Sequence, residues 1–208
     1  MSLDLSRPLV YLITKGECDA SNYAAASQQI LDITRVAVES GVDLIQVREK
    51  RLGGRLLFEL TQGVAAIVRG SGTKLLVNDR LDVAVATGAD GVHLTSRSIT
   101  AEVVRSHAPP NFLIGVSCHS HEDLSAVAGA DLALFGPVFA SPGKGGGVGL
   151  KALADVCNDA KDLPIIAIGG IDTTNYHDIL EAGAAGLAAI RALNDVDSLL
   201  RIMKELGR

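Results

Sequence analysis

The chain has 208 residues, 48% of them apolar, 3% aromatic and 21% charged, with a formal net charge of −5. That length suits one domain with an aliphatic core and sits at the short end for an eight-unit α/β barrel, typically ~250 residues. The acidic balance, without a basic block or rings to stack on bases, argues against nucleic acid; no apolar run approaches the ~20 residues of a membrane span, and Asp4 and Arg7 interrupt what a signal peptide keeps apolar.

Leu9 to Thr14 reads as the first strand, and the helical spacing from Asn22 to Glu39 stops at Gly41. Leu44 to Val47 is the second strand and Arg55 to Val68 the helix after it. Lys74 to Val77 is the third strand, with a short helix from Arg80 to Ala86, and Val92 to Leu94 is the fourth. Ala101 to His107 is helical and is stopped by Pro109 and Pro110. Leu113 to Ser117 is the fifth strand, with a helix from His121 to Ala128, and Leu132 to Val138 is the sixth. A loop over 141–149, too rich in glycine for regular structure, precedes a helix from Leu150 to Ala160. Ile165 to Ile168 is the seventh strand, Asp172 to Glu181 its helix, Leu187 to Ile190 the eighth strand, and Val196 to Leu206 the closing helix.

One phrase recurs four times: a small residue, Gly, then Val-Asp, Ala-Asp or Ala-Ala, then an apolar run. Its glycines are Gly41, Gly88, Gly129 and Gly183. Each ends a helix, because glycine takes the left-handed conformation without a Cβ clash, and each apolar run reads as a buried parallel strand. One further strand and helix fit between successive phrases. Strict alternation with short links predicts parallel pairing and right-handed crossovers. The periodicity points to a single-domain TIM (β/α)8 barrel spanning 1–208. An open doubly wound sheet is the rival, but the segment after its first strand, 14–22, lacks a Gly-rich nucleotide loop.

Reacting residues of such barrels lie at the carboxyl ends of the strands. Gln46, Arg48 and Lys50 share one face at the end of strand two. Strand three ends in Asn78 and Asp79, strand four in His93 and Thr95, and strand five in Ser117 and His119. Strand six feeds Ser141 and Lys144, strand seven ends in Gly169 and Gly170, and strand eight in Arg191. Arg48, Lys50, Lys144 and Arg191 at one mouth of an acidic protein call for a phosphate or diphosphate. Gly169 and Gly170, turning into the Asp172 helix, add backbone N–H groups and a helix dipole. Lys144 either reaches over a ligand or hangs from a plain connection. His119 is the acid/base candidate; His93 is packing or a substrate contact, and His107, His121 and His177 carry no role. Cys118 faces the core. With Cys18 and Cys157 it forms neither a disulfide framework nor a metal site, which places the protein in a reducing cytoplasm.

The segments QVREK (46–50), VNDR (77–80), DGVHL (90–94), GVSCHS (115–120), FGPVFASPGK (135–144) and IGGI (168–171) occur in order. They resemble the thiamine phosphate synthase family and its relatives, the thiazole tautomerases (TenI). The resemblance implies a barrel enzyme of vitamin B1 synthesis that takes a small phosphorylated substrate and has no membrane partner; a homo-oligomer is compatible with it. In the synthase, the residues matching Gln46, Arg48, Lys50 and Asn78 hold a pyrimidine diphosphate. The one matching Asp79 is one of two Mg²⁺ carboxylates, and the segment matching Ser141 to Lys144, with the Gly pair, holds thiazole phosphate. The chain departs at Ser98, where the second carboxylate is expected, at Gly143 in place of a threonine, and at Arg191 in place of a small hydroxyl residue. Serine is a poor Mg²⁺ ligand. The departures favour a TenI-like tautomerase, which needs no cofactor and uses the histidine matching His119. The synthase, with Mg²⁺ on Asp79, is the alternative, and a non-catalytic phosphate-binding regulator a third.

Overall fold

Eight strands and the helices between them form the frame of this computed structural model, which describes residues 3–140 and 145–208. The strands are β1 Leu9–Ile13, β2 Leu44–Val47, β3 Lys74–Asn78, β4 Gly91–Leu94, β5 Leu113–Cys118, β6 Leu132–Phe135, β7 Ile165–Ile168 and β8 Gly186–Ala189. Each pairs parallel with the next, and β8 returns to β1 with Leu9 opposite Gly186, closing the barrel. Between them run α1 Tyr23–Glu39, α2 Gly54–Val68, α3 Leu81–Thr87, α4 Ala101–His107, α5 Gly149–Asp159 and α6 Tyr176–Glu181, with α7 Val196–Glu205 last. Alternation sorts the strand residues between two layers. Leu9, Tyr11 and Ile13 fill the barrel interior with Leu44, Leu76 and Leu134, while Val10 and Leu12 pack outward against the helices.

The four glycines of the recurring phrase all have positive φ, 76° at Gly41, 71° at Gly88, 85° at Gly129 and 96° at Gly183, as a helix-stopping role requires. The aspartates beside them do a second job. Asp43, Asp90 and Asp131 accept the backbone N–H of Val10 (2.8 Å), Leu75 (2.9 Å) and Ile114 (2.7 Å), each on the strand before. Each also holds a cation: Arg7 and Arg208 on Asp43, Lys74 on Asp90, and Arg105 on Asp131. Side-chain pairs thus stitch β1, β3 and β5 to the turns entering β2, β4 and β6, and Ala185 drops this stitch before β8.

Three predicted elements are shorter in the structure. The segment over 121–128 is a 3₁₀ turn, Glu122–Ala126, with no fully buried residue; Leu124 and Val127 pack only partly against the core, too little apolar contact to hold a full helix. Strand β6 ends at Phe135 because Pro137 lacks the N–H the ladder needs. Helix α6 begins at Tyr176, not Asp172. There Asp172 accepts from Thr174 N (2.8 Å) and Asn175 accepts from Asp172 N (3.0 Å), side-chain bonds that compete with a helical start. A 3₁₀ turn at Ala192–Asn194, not predicted, carries Asn194, which donates to Ile13 O (2.8 Å) and ties the exit of β8 to β1.

Candidate active site

A cleft of about 480 Å³ opens at the carboxyl ends of the strands. It gathers Gln46, Arg48, Lys50, Asn78, Ser117, His119, Gly169, Gly170 and Arg191, residues spread over the chain from β2 to the end of β8. Asp79 stands just outside the lining, and Ser141 and Lys144 lie outside the described residues.

The end of β2 shows how the backbone aims these groups. Gln46 points inward and donates from Nε2 to the Tyr11 hydroxyl (2.9 Å), deep in the barrel. Glu49 points the opposite way and is buried, its carboxylate accepting N–H bonds from Gly16 (3.0 Å) and Cys18 (2.8 Å). Thr14 Oγ1 accepts from Arg48 N (2.8 Å). The loop after β1 is thereby fixed to β2, and Arg48 and Lys50, on the other face from Glu49, line the cleft.

Ion pairing separates this rim from the rest of the surface. Of the twelve arginines in the chain, eight lie within 4.0 Å of a carboxylate: Arg7, Arg35, Arg51, Arg55, Arg80, Arg105, Arg201 and Arg208. Among the described residues the other four, Arg48, Arg69, Arg97 and Arg191, have no such partner, and three of the four line the cleft. Guanidinium groups gathered without carboxylates repel one another until an anion enters between them.

Histidines from neighbouring strands sit at different depths. His93 is buried, shares a 2.9 Å hydrogen bond between Nε2 and Ser117 Oγ, and meets the Tyr11 ring edge-on at 6.2 Å. Burial, then the charges of Arg48 and Lys50, hold its pKa down to about 3, so it is neutral at the cleft floor. Its Nδ1 is buried without a partner. Gly115 keeps this ring in place, since a Cβ there would sit 2.7 Å from His93 Nδ1. His119 is exposed at the rim. Its Nδ1 lies 2.7 Å from Gly136 O; a carbonyl only accepts, so Nδ1 carries the proton and Nε2 of the neutral ring is the acceptor. Cys118, between them in sequence, is buried away from the cleft, and burial pushes its thiol up to about 11.

Gly169 and Gly170 have φ of 103° and 66°. A Cβ on Gly169 would run into Pro137, and one on Gly170 would sit 2.7 Å from Phe139 Cβ, so the pair admits the segment leaving β6, which bonds back through Val138 N to Ile168 O (2.8 Å). The Gly170 N–H has no acceptor among the described residues. The expected helix dipole is not there: α6 starts at Tyr176 and has six residues, so only the open backbone and Arg191 lend positive character at this end.

Asp79 leads β3 into the rim with a φ of 59°. Ser98 Oγ donates to Asp79 Oδ1 (2.5 Å), so the serine found in place of a second carboxylate is bonded to the first. No group of three His, Cys, Asp or Glu able to hold a metal occurs among the described residues. Mg²⁺ nevertheless fits such a donor set, since it is commonly held by one or two carboxylates completed by substrate phosphate oxygens and water.

Thr95, read from the sequence as the end of strand four, lines the cleft; sequence reading missed Ser96 and Arg97 on the turn beyond it, and the aliphatic floor of Ile13, Leu134, Ile168 and Ala188. The floor follows from alternation, since Leu134, Ile168 and Ala188 are the inward positions nearest the strand ends. The turn carries no such periodicity.

A closed parallel barrel with arginines from separate strands around one cleft at the strand carboxyl ends defines a TIM-barrel enzyme scaffold. Residues 10–193 match the family model described as "Thiamine monophosphate synthase", and the chain belongs to that family. It is 41% identical over 182 residues to the thiamine-phosphate synthase of Methanoculleus marisnigri, covering 84% of this chain and 86% of that one. It is 39% identical over 189 residues to a putative thiamine-phosphate synthase of Geobacter sulfurreducens, covering 88% and 85%. The solved thiamine phosphate pyrophosphorylase of Pyrococcus furiosus superimposes with a TM-score of 0.81 at 30% identity, covering 98% of this chain and 95% of that one. The protein is therefore an enzyme of the thiamine-phosphate synthase/TenI superfamily, in thiamine biosynthesis. The relatives' names favour the transferase over the isomerase to which Ser98 pointed.

Proposed function

We propose that the chain is a thiamine-phosphate synthase, joining a hydroxymethylpyrimidine diphosphate to a thiazole phosphate with release of diphosphate. The observation that carries this reading is the trio Arg48, Arg97 and Arg191 around one cleft that Lys50 also lines, the three arginines having no carboxylate within 4.0 Å among the described residues. Arg48, Lys50 and Asn78 bind the diphosphate at the ends of β2 and β3, and Arg191, with the open Gly170 N–H, the thiazole phosphate at the ends of β7 and β8. Lys144 and Ser141 are assigned to the thiazole phosphate from the resemblance alone. Gln46, Ser117 and the neutral His93 form the polar floor under the pyrimidine, with Leu134 and Ile168 excluding water.

The bond that breaks joins the pyrimidine methylene carbon to the diphosphate oxygen, and its electron pair leaves with the diphosphate. The methylene cation is then captured by the thiazole nitrogen lone pair, forming the new C–N bond. The cations stabilise charge that grows on the leaving group, the interaction that raises rate and not just affinity. Asp79 would hold Mg²⁺, which when bound supplies further positive charge to the diphosphate. The three cysteines are free, and we place the enzyme in a reducing compartment, the cytoplasm.

The purified chain supplied with both substrates and Mg²⁺ should form thiamine phosphate and diphosphate in equal amounts, and chelation should stop it. No thiamine phosphate in that mixture would refute the assignment. A second reading, a metal-independent thiazole tautomerase, has one observation in its favour: the fixed tautomer of His119, which leaves Nε2 ready to take a proton. Isomerisation of the thiazole carboxylate phosphate in EDTA, lost in His119→Ala, would select it.

A further inference from the structure

We propose that Arg97 is a diphosphate ligand, presented to the cleft by a turn that Asp79 anchors. The inference rests on the synthase reading for the identity of its anion. Residues Thr95 to Ser98 close on themselves, with Ser98 N donating to Thr95 O (3.0 Å) and Thr95 N to Ser98 Oγ (2.8 Å). Ser98 Oγ then donates to Asp79 Oδ1 (2.5 Å), across 19 residues of sequence, and pins the turn to the end of β3. At its tip, Ser96 and Arg97 line the cleft beside Arg48 and Asn78.

Arg97 is exposed, and among the described residues it has no carboxylate within 4.0 Å, whereas Arg80, next to Asp79, is closed onto Asp82 (2.6 Å). Its guanidinium is thus uncommitted among the described residues, on a turn closed by its own hydrogen bonds. A guanidinium there offers the fork that phosphate oxygens accept two at a time. With a neutral Ser98 on Asp79 and Arg97 at its tip, the turn adds positive and no negative charge to the β3–β4 side of the mouth. It therefore retains diphosphate when Mg²⁺ is withdrawn. Ser98 is a positioning residue in this scheme, acting through the turn.

Calorimetric titration with inorganic diphosphate, in EDTA and in Mg²⁺, tests this on the parent, Arg97→Ala, Arg97→Lys and Arg69→Ala. Arg69 is the remaining unpaired arginine and caps α2 at the other end of the barrel. In EDTA the alanine variant should bind diphosphate about 10-fold or more weakly than the parent. Lysine should recover part of the loss, since it returns the charge without the fork. Arg69→Ala should match the parent. In Mg²⁺ the loss in Arg97→Ala should be smaller. An Arg97→Ala affinity within twofold of the parent in EDTA, equal losses in Arg69→Ala, or a parent that binds no diphosphate without Mg²⁺ each overturn the proposal. The failures separate cleanly. Thiamine phosphate formed at full rate by an Arg97→Ala protein with unchanged diphosphate affinity sinks only the Arg97 assignment. An Arg97-dependent diphosphate site in a chain that makes no thiamine phosphate sinks only the synthase reading.

Discussion

The two ends of this barrel handle charge in opposite ways. At the amino end of the strands, Asp43, Asp90 and Asp131 are each matched by a cation and by a backbone N–H of the neighbouring strand. At the carboxyl end, Arg48, Arg97 and Arg191 stand around a cleft, with no carboxylate within 4.0 Å of them among the described residues. The first arrangement stabilises the closed sheet; the second leaves charge for a ligand. The fold keeps them apart because every strand runs the same way, so one end of the barrel is all strand entry and the other all strand exit. A cation at one end should therefore be felt in stability, and one at the other in binding.

The largest effect expected from this contrast is at Arg48. Replacing it by Ala should lower kcat/KM for thiamine phosphate formation by about 100-fold or more, because it removes a charge that meets the leaving group. The melting temperature should hold or rise, since a repelling neighbour is gone; a fall in stability equal to the loss in activity would erase the contrast. Next comes Asp43→Ala at the opposite end. It should cost about 3 kcal/mol in denaturant unfolding by stranding Arg208 and Arg7 and freeing the Val10 N–H. The turnover of the folded fraction should stay unchanged.

A pH experiment sharpens the contrast further. The folded pKa of His93 is held down to about 3, against an ordinary value of 6.5, so between these the unfolded chain binds a proton that the folded chain refuses. Stability is then full above pH 6.5 and is lost as pH falls towards 3. From pH 6.5 to 5 the loss attributable to this group is about 2 kcal/mol. Unfolding of His93→Gln should be flatter with pH over that window, and an equal slope in parent and variant would show that His93 is not the group responsible. The smallest effect belongs to Arg69→Ala, an unpaired arginine on exposed surface, with a stability change within about 0.5 kcal/mol.

Much of this contrast is legible in the sequence because it rests on local rules. Glycine after an amphipathic stretch marks the strand entrances, and the left-handed backbone at Gly41, Gly88, Gly129 and Gly183 bears it out. Alternation then places Gln46 and Arg48 at the exits. What fails is whatever depends on partners far away in the chain. The structural use of Asp43 needs Val10 on the strand before it and Arg208, the last residue. Arg97 sits on a turn with no periodicity, aimed by a bond from Ser98 to Asp79 on another loop. His93 is visible as a strand-end residue, but its depth comes from packing against Tyr11 and Gly115. The overlong reading of α6 has a local cause missed in reading: the Asp172 and Asn175 side chains bond to the backbone themselves and delay the helix to Tyr176.

The central claim, that the uncommitted arginines of the carboxyl rim form one anion site, is most directly tested by a crystal structure with inorganic diphosphate and Mg²⁺. The predicted result is diphosphate in the cleft with oxygens about 3 Å from the guanidinium groups of Arg48 and Arg97. Diphosphate seated elsewhere, with Arg48 and Arg97 both turned away from it, would contradict the account.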